Sequence, residues 1–169
     1  FEAEEIIVSA QSQGTLTFLN VKEGDVVDKD KLIGKIDTAT PYIKKEQLLA
    51  QNNVIAAKLL NNEAQLKVQD EQRDNLVREV TRLKKLLEDG AATQQQYDDI
   101  VGKLKVLDSQ TEAIRSQKSI ILGERSVLYA QIEEVGTMLE KCRIVSPISG
   151  TVLEKYAEAG ELVSPGKVL

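Results

Sequence analysis

The chain has 169 residues, of which 29% are charged and only 4% aromatic, with no tryptophan. This composition is too poor in large apolar side chains for one large globular core and favours a thin structure. The net charge of −5 gives no electrostatic reason to expect nucleic acid or anionic lipid as a partner. The sequence has no histidine, the commonest general base and metal ligand, and no nucleophile motif. We therefore expect no enzymatic activity and no catalytic, cofactor-binding or metal site.

The chain opens with a predicted β unit over residues 1–38. Glu5–Ser9 and Thr15–Leu19 are short runs rich in strand-forming residues. Gly24 lies between two apolar runs, where a turn is expected. These strands are too few to bury both faces of a sheet, so the unit needs a partner elsewhere in the chain.

A long α-helix is predicted next, over residues 41–89. No proline or glycine occurs between Pro41 and Glu88, and a ladder with alternating steps of four and three runs through the segment. Eight of its twelve positions are apolar, which is typical of a coiled-coil seam. Thr40 before Pro41 predicts an N-cap followed by proline at the first helical position. The ladder positions are Leu48, Asn52, Ile55, Leu59, Asn62, Leu66, Gln69, Arg73, Leu76, Val80, Leu83 and Leu87.

A second helix is predicted over residues 93–142, after a tight turn at about residues 89–93. Gly90 is placed to be the left-handed residue that ends the first helix. Thr93 with Gln96 three residues later is a capping-box pattern that opens the second helix. Its ladder is apolar at eleven of fourteen positions, and Cys142 is expected to be a small buried side chain rather than a reactive thiol. The ladder positions are Tyr97, Ile100, Leu104, Leu107, Thr111, Ile114, Lys118, Ile121, Arg125, Leu128, Ile132, Val135, Leu139 and Cys142.

The two helical segments have equal lengths. Gly90 lies 49 residues after Pro41, and Leu139 lies 49 residues after Gly90. Antiparallel arms of this length, at ~1.5 Å per residue, form a hairpin of roughly 70 Å that returns the chain to the point it left. We therefore expect an α-helical hairpin over residues 39–142.

The last segment, residues 143–169, repeats the first. Residues 9–33 align without a gap onto residues 145–169, at a constant offset of 136. Gly14, Gly24 and Val27 recur at the equivalent positions, among others. An internal repeat of this kind reports how a fold is assembled. We expect the two β halves to pair into one flattened sandwich of roughly seven or eight short strands.

The two half-motifs carry a resemblance to a known family. The first half has Gly14-Thr15-Leu16 and then Gly24-Asp25-Val26-Val27, and the second half has Ile144–Val152, Ile-Val-Ser-Pro-Ile-Ser-Gly-Thr-Val. Split by a helical hairpin, these motifs make the chain resemble the HlyD-type periplasmic adaptors, also called membrane fusion proteins, over essentially all its length. The resemblance implies an α+β fold, with the hairpin inserted between two halves of a lipoyl-like β-sandwich. It also implies a longer parent protein, with β-barrel and membrane-proximal domains outside this stretch.

The predicted turn carries a second and sharper match. Family members that dock on TolC-like outer-membrane channels tend to show arginine, leucine four residues on, and serine or threonine seven further. Arg82, Leu86 and Thr93 fit this pattern, with threonine in the serine place. By this resemblance, Arg82 would hydrogen-bond oxygen atoms at the channel entrance. Leu86 would insert into a groove there, and Thr93 would hydrogen-bond at the apex.

Each of these three residues also has a purely structural interpretation. Thr93 is the expected cap of the second helix whether or not it contacts a partner. Leu86 lies beside two seam leucines and would pack with them. Arg82 would form an ion pair with Glu79 or Glu88 on a solvated face.

The resemblance implies an adaptor that links an inner-membrane transporter, either ABC or proton-driven, to a TolC-like channel for efflux or secretion. Such a protein works in the periplasm as a homo-oligomeric ring, a hexamer in the family manner. Its parent would be anchored to the inner membrane of a Gram-negative bacterium. The transported compound is not encoded in this segment.

Two other functions remain open from the residues. A coiled-coil adaptor or tether would use the same hairpin to engage a different partner. A lipoyl or biotinyl carrier domain would need a lysine displayed on the turn between its two halves. Here Lys35 precedes that junction, and Lys44 and Lys45 follow it in the first helical turn, so the carrier function is disfavoured.

Overall fold

The computed structural model describes residues 5–169, which form six β-strands and two long α-helices. In chain order these are β1 (Gly14–Leu19), β2 (Val26–Val27), β3 (Leu32–Ile36), α1 (Ala39–Glu88), α2 (Gln94–Lys141), β4 (Arg143–Val145), β5 (Gly150–Thr151) and β6 (Leu162–Val163). The α+β class, with a long helical hairpin between two β halves, is confirmed. None of the helices in this range is both long and apolar enough to span a membrane.

The chain divides into two compact units. One combines residues 1–49 with residues 130–169 and contains all the strands, and the other contains residues 50–129 of the hairpin. In the first unit, the strands form a four-stranded antiparallel sheet in the order β4-β3-β1-β6 and a two-stranded sheet of β2 and β5.

The predicted strand at Glu5–Ser9 is wrong except for its last residue. Ser9 forms an isolated antiparallel bridge with Val168, while the preceding residues belong to no strand. Ile7 is 67% exposed. A run of strand-forming residues becomes a strand only where another backbone lies beside it, and no such neighbour is available here among the described residues. Six strands therefore stand in place of the expected seven or eight.

The two β halves pair with each other reciprocally. Gly14 lies opposite Val163, and Val27 lies opposite Gly150, which is the same pairing with the two halves exchanged. The sequence repeat is therefore a structural one, in which each half supplies the strand that the other lacks. This confirms the expectation that the halves pair.

Hydrogen bonds in the loops obey the same exchange. The N–H of Leu16 donates to the carbonyl of Glu161 at 2.8 Å, and the N–H of Val152 donates to the carbonyl of Asp25 at 2.9 Å. Adding the repeat offset to the first pair, with the halves exchanged, gives the second. The loops are thus built alike, and not only the strands.

Equivalent glycines turn the chain in the two halves. Gly24 has a φ of 87° and Gly160 a φ of 92°, a region that side chains other than glycine disfavour. In each turn the next residue, Asp25 or Glu161, accepts a hydrogen bond on its carboxylate from the backbone N–H three residues earlier. These paired turns explain why glycine followed by an acidic residue recurs in both copies.

The core of this unit draws on both halves and on the end of the hairpin. Cys142 is 2% exposed and packs in this cluster, as predicted, with its sulfur 3.6 Å from the hydroxyl of Ser12. The buried residues of the cluster are Ala10, Leu16, Leu19, Val21, Val27, Ile33, Ile36, Cys142, Ile144, Ala157, Val163 and Leu169.

Helix α1 begins earlier than the sequence predicted. The carbonyl of Thr38 accepts the first hydrogen bond of the helix at 2.9 Å, and the carboxylate of Asp37 accepts the N–H of Ala39 at 2.9 Å. The expectation that Thr40 is the N-cap is therefore wrong. Pro41 fits inside the first turn because backbone N–H groups there have no partner within the helix.

In the second unit, residues 50–129, the two helices meet along the predicted seam. The ladder positions in this range are buried or half-buried, with one exception, Arg73. Its Nε donates to a carboxylate oxygen of Asp108 on the other helix at 2.8 Å, and this hydrogen bond raises the pKa of Arg73. Leu128 is 2% exposed and Ile55 is 5% exposed. The seam prediction is thus confirmed for this unit.

Ion pairs across the seam show the register of the two helices. Lys58 lies 3.2 Å from Glu124, and Lys118 lies 2.9 Å from Glu63. Exposed pairs of this kind contribute at most about 1 kcal/mol each, so the apolar seam supplies most of the stability. Their value here is that they fix which residues of α1 and α2 are level.

The seam also contains buried polar side chains. Asn62 is 4% exposed; its Nδ2 donates to the carbonyl of Ile114 at 3.1 Å, while its Oδ1 has no hydrogen-bond partner in the described chain. Thr111 is 2% exposed and donates its hydroxyl to the carbonyl of Leu107 at 2.9 Å. A buried asparagine in a coiled-coil seam costs stability but penalises every register that leaves it without a partner.

Candidate docking site at the hairpin tip

The first helix ends in a glycine-based motif that shapes the tip. Gly90 has a φ of 70°, as predicted for the residue that stops the helix. The N–H of Ala91 donates to the carbonyl of Leu86 at 2.7 Å, and the N–H of Gly90 donates to the carbonyl of Leu87 at 3.1 Å. These two bonds make a Schellman motif, which satisfies carbonyls that the helix end would otherwise leave unpaired.

The second helix opens with the predicted capping box. The hydroxyl oxygen of Thr93 accepts the N–H of Gln96 at 3.2 Å, and the side-chain oxygen of Gln96 accepts the N–H of Thr93 at 2.9 Å. Helix α2 accordingly begins at Gln94, whose amide also donates to the carboxylate of Asp98 at 2.7 Å. The capping prediction for Thr93 is confirmed.

Arg82 lies on α1, two turns before the end of the helix. Its guanidinium forms an ion pair with Glu79 at 2.9 Å, so the structural alternative of a surface pair is realised with this residue rather than with Glu88. The side chain of Arg82 is 67% exposed. Because a guanidinium carries five N–H donors and this pair uses few of them, Arg82 can also bind acceptors on another molecule.

Leu86 lies one turn beyond Arg82 and does not belong to the seam. It is 37% exposed, whereas the seam residues on either side, Leu83 and Leu87, are half-buried. The alternative in which Leu86 packs into the seam is therefore not observed. The backbone of Leu86 has a role that sequence reasoning missed, because its carbonyl accepts N–H groups from two residues of the turn, one of them Ala91.

These three side chains bracket the turn without bonding to one another. Arg82 and Leu86 are on α1, and Thr93 begins α2; no hydrogen bond among the described residues joins any two of the three. The arrangement presents a cation, an apolar knob and a hydroxyl group. It offers nothing for catalysis, and within residues 5–169 no group of three or more cysteine or acidic side chains is placed to hold a metal ion.

Comparison with known proteins gives the family. The family model described as "RND MFP, barrel-sandwich hybrid domain" matches residues 4–169. The chain belongs to the RND membrane fusion protein family. The resemblance to membrane fusion proteins drawn from the half-motifs is thereby confirmed, while the narrower assignment to HlyD-type members stays a prediction.

Individual relatives agree with this family assignment. The chain is 25% identical to a "36 kDa antigen" of Helicobacter pylori, covering 98% of this chain and 57% of that protein. It is also 25% identical to the multidrug resistance protein MdtA of Yersinia enterocolitica, covering 97% of this chain and 31% of that protein. It therefore spans between a third and about three fifths of the length of these membrane fusion relatives.

The fold of this family member is also that of a known adaptor. The structure superposes on the periplasmic adaptor protein EmrA with a TM-score of 0.62, covering 99% of this chain and 71% of that one. Sequence identity in that superposition is only 14%, so the likeness concerns the fold alone. It supports the hairpin and β halves described above.

Proposed function

We propose that this chain is the hairpin-bearing part of a periplasmic adaptor, and that its tip docks on a TolC-like outer-membrane channel. The adaptor links that channel to an inner-membrane transporter, either ABC or proton-driven, for efflux or secretion. Its parent protein acts in the periplasm of a Gram-negative bacterium, anchored to the inner membrane. The chain works as a homo-oligomeric ring, a hexamer in the manner of its family.

The observation that carries this proposal is the exposure of Leu86 at the tip. A leucine that is 37% exposed beside two half-buried seam leucines contributes little to the hairpin itself. The turn behind it is stabilised by two hydrogen bonds from the Schellman motif, so the knob is held in a defined position. An apolar side chain presented in this way is suited to a groove on another protein.

The polar groups on either side of Leu86 suit the same partner. The exposed guanidinium of Arg82 can bind several carbonyl or carboxylate oxygens at once. The hydroxyl of Thr93 accepts a hydrogen bond from its own helix and retains its hydrogen as a donor. Oxygen atoms at the end of a helical channel supply the acceptors that both groups need.

Relatives of this chain supply independent support. MdtA is a multidrug resistance protein, and EmrA is a periplasmic adaptor protein. An adaptor subunit catalyses no reaction, which accords with a sequence that has no histidine and with a tip that offers no catalytic group.

A tether that engages a different partner is the second candidate. It uses the same hairpin, and only the identity of the protein bound at the tip distinguishes it from the adaptor. A lipoyl or biotinyl carrier is disfavoured, because the chain passes from β3 to α1 through Asp37 and Thr38 without a lysine. Lys35 lies within β3, opposite Phe18 and Arg143, and not on a turn.

Replacement of Arg82 tests the docking residues directly. In the full-length protein, Arg82→Asp should abolish export, measured as resistance of the cells to a panel of toxic compounds. Folding should change by less than about 1 kcal/mol, because only an exposed ion pair with Glu79 is lost. The matched control is Arg78→Asp, an exposed arginine one turn earlier whose hydrogen bond with Asn75 is local. Export at the level of the unmodified protein in Arg82→Asp would remove Arg82 from the docking site.

A further inference from the structure

Helix α2 carries a second ladder of uncharged residues outside the seam. It advances by alternating steps of four and three, as the seam does, but lies roughly 160° around the helix from it. All its members are exposed; Val106, Ile120 and Val127 are 59%, 57% and 61% exposed. We call this surface the α2 outer face. It consists of Gly102, Val106, Ser109, Ala113, Ser116, Ile120, Gly123 and Val127.

Helix α1 carries a matching surface. Its members have the same spacing and the same offset from the seam, and all are exposed, including Val54 at 58% and Val68 at 55%. We call it the α1 outer face. It consists of Ala50, Val54, Ala57, Asn61, Ala64 and Val68. Because each outer face points away from the other helix, the two faces lie on opposite sides of the hairpin segment 50–129.

The two outer faces lie at the same level along the hairpin. The ion pairs across the seam place residues 50–68 of α1 level with residues 113–130 of α2. Val54 is thus level with Val127, and both are more than half exposed. A repeat of apolar and small residues with a coiled-coil period, on a face with no partner helix, is typical of a second helix–helix contact.

We propose that the α2 outer face of one copy packs against the α1 outer face of the next copy of this chain. The contact deepens the ring that is part of the proposed function, and it rests on that function. Two different faces on opposite sides of one molecule make a head-to-tail contact, which closes into a ring when the rotation allows. The small residues let neighbouring helices approach closely, while the valines and Ile120 pack between them.

Charges beside the two faces support a second copy as the occupant. Lys67 borders the α1 outer face, and Glu112 borders the α2 outer face on the corresponding side. The two residues are level to within about one helical turn, by the register of the ion pairs. Lys67 and Glu112 are both exposed. In the proposed contact, Lys67 of one copy faces Glu112 of its neighbour.

The sequence also sets where this contact ends. Beyond Val68 the same positions of α1 include Glu71, Arg78 and Lys85, which are exposed charges. A helix pair cannot bury such a row of charges without paying for their desolvation. The contact between copies therefore stops before the tip and leaves residues 82–93 available for a different partner.

Engineered disulfides test the contact and its polarity. Ala64→Cys and Ser116→Cys are combined in the full-length protein and oxidised mildly in cell membranes. Within one hairpin segment the two positions lie on opposite sides, so only different copies can be joined. A head-to-tail contact gives a ladder of dimers, trimers and larger species, while each single variant gives no cross-link. The native Cys142 is 2% exposed, and the unmodified protein measures its background.

A misaligned pair provides the matched control. Ala64→Cys with Gly102→Cys places the second cysteine on the same face but roughly 20 Å along the helix from Ser116, and it should give no ladder. Absence of a ladder with the Ala64 and Ser116 pair overturns the proposal. Dimers with Ser116→Cys alone also overturn it, because they indicate a symmetric contact between two α2 helices.

Charge reversal gives a second readout of the same contact. In the double-cysteine protein, Lys67→Glu should reduce the ladder, and adding Glu112→Lys should restore it. Failure of the second change to restore the ladder contradicts the assigned pairing of faces. The ladder is read independently of docking at the tip. A ladder without channel capture by the tip contradicts the proposed function alone, whereas capture without a ladder contradicts only this inference.

Discussion

Truncation of Leu128 should destabilise the hairpin far more than truncation of its neighbour Val127. Leu128 is 2% exposed in the seam, and Val127 is 61% exposed on the α2 outer face. Leu→Ala changes at buried sites cost about 2–5 kcal/mol from lost burial and the cavity left behind. A seam only two helices thick collapses more readily than a globular core, so we expect a loss of about 2–3 kcal/mol for Leu128→Ala.

The assay is urea unfolding of the 169-residue chain, followed by far-ultraviolet circular dichroism at low concentration. A loss of 2–3 kcal/mol lowers the folding equilibrium constant by roughly 30- to 150-fold. Val127→Ala should change the unfolding free energy by less than about 0.5 kcal/mol, since it removes exposed surface and introduces a better helix former. Equal losses in the two variants, or a larger loss for Val127→Ala, would show that the register of the seam is wrong.

Three further perturbations probe other parts of the structure. Gly24→Ala and Gly160→Ala should each cost about 1–2 kcal/mol in urea unfolding, because both have positive φ and no atom lies within 4 Å of the added carbon; clearly unequal costs would contradict the equivalence of the halves. A hydrogen bond from Lys167 lowers the pKa of Glu161, so its stabilising effect is present at neutral pH and fades as the pH falls below the usual glutamate range. Glu161→Gln should therefore lose less stability on acidification than the unmodified protein, and parallel pH profiles would refute this. Asn62→Leu removes a buried oxygen without a partner and should raise the unfolding free energy by about 1 kcal/mol, and a loss of similar size would argue against the unpaired state.

The hairpin was predictable because its period and end signals are local. The seam repeats over many turns, and the pattern at Gly90, Thr93 and Gln96 specifies a turn by hydrogen bonds within a few residues. The start of α1 was missed because Asp37, just outside the expected helix, supplies the capping carboxylate that Thr40 was expected to provide. Caps compete over such short distances that sequence alone ranks them poorly.

The β halves were predictable as a pair and less so strand by strand. The constant offset indicated the pairing, but Glu5–Ser9 has strand-forming residues and no neighbouring backbone for most of its length. At the tip, the exposure of Leu86 could not be read from its spacing, since it adjoins the seam. Docking by Arg82, Leu86 and Thr93 stays a prediction, because it concerns a surface on another molecule.

Capture of the partner at the tip tests the central proposal most directly. A photoreactive residue would replace Ala91 in the full-length protein, at an exposed position of the turn that leaves the Thr93 cap intact. The control carries the same group at Gln110, which is exposed in the middle of α2. We expect Ala91 to capture an outer-membrane channel protein, identified by mass spectrometry, and Gln110 not to do so. Capture from Ala91 of only sister copies or of an unrelated protein would contradict the adaptor function and favour the tether.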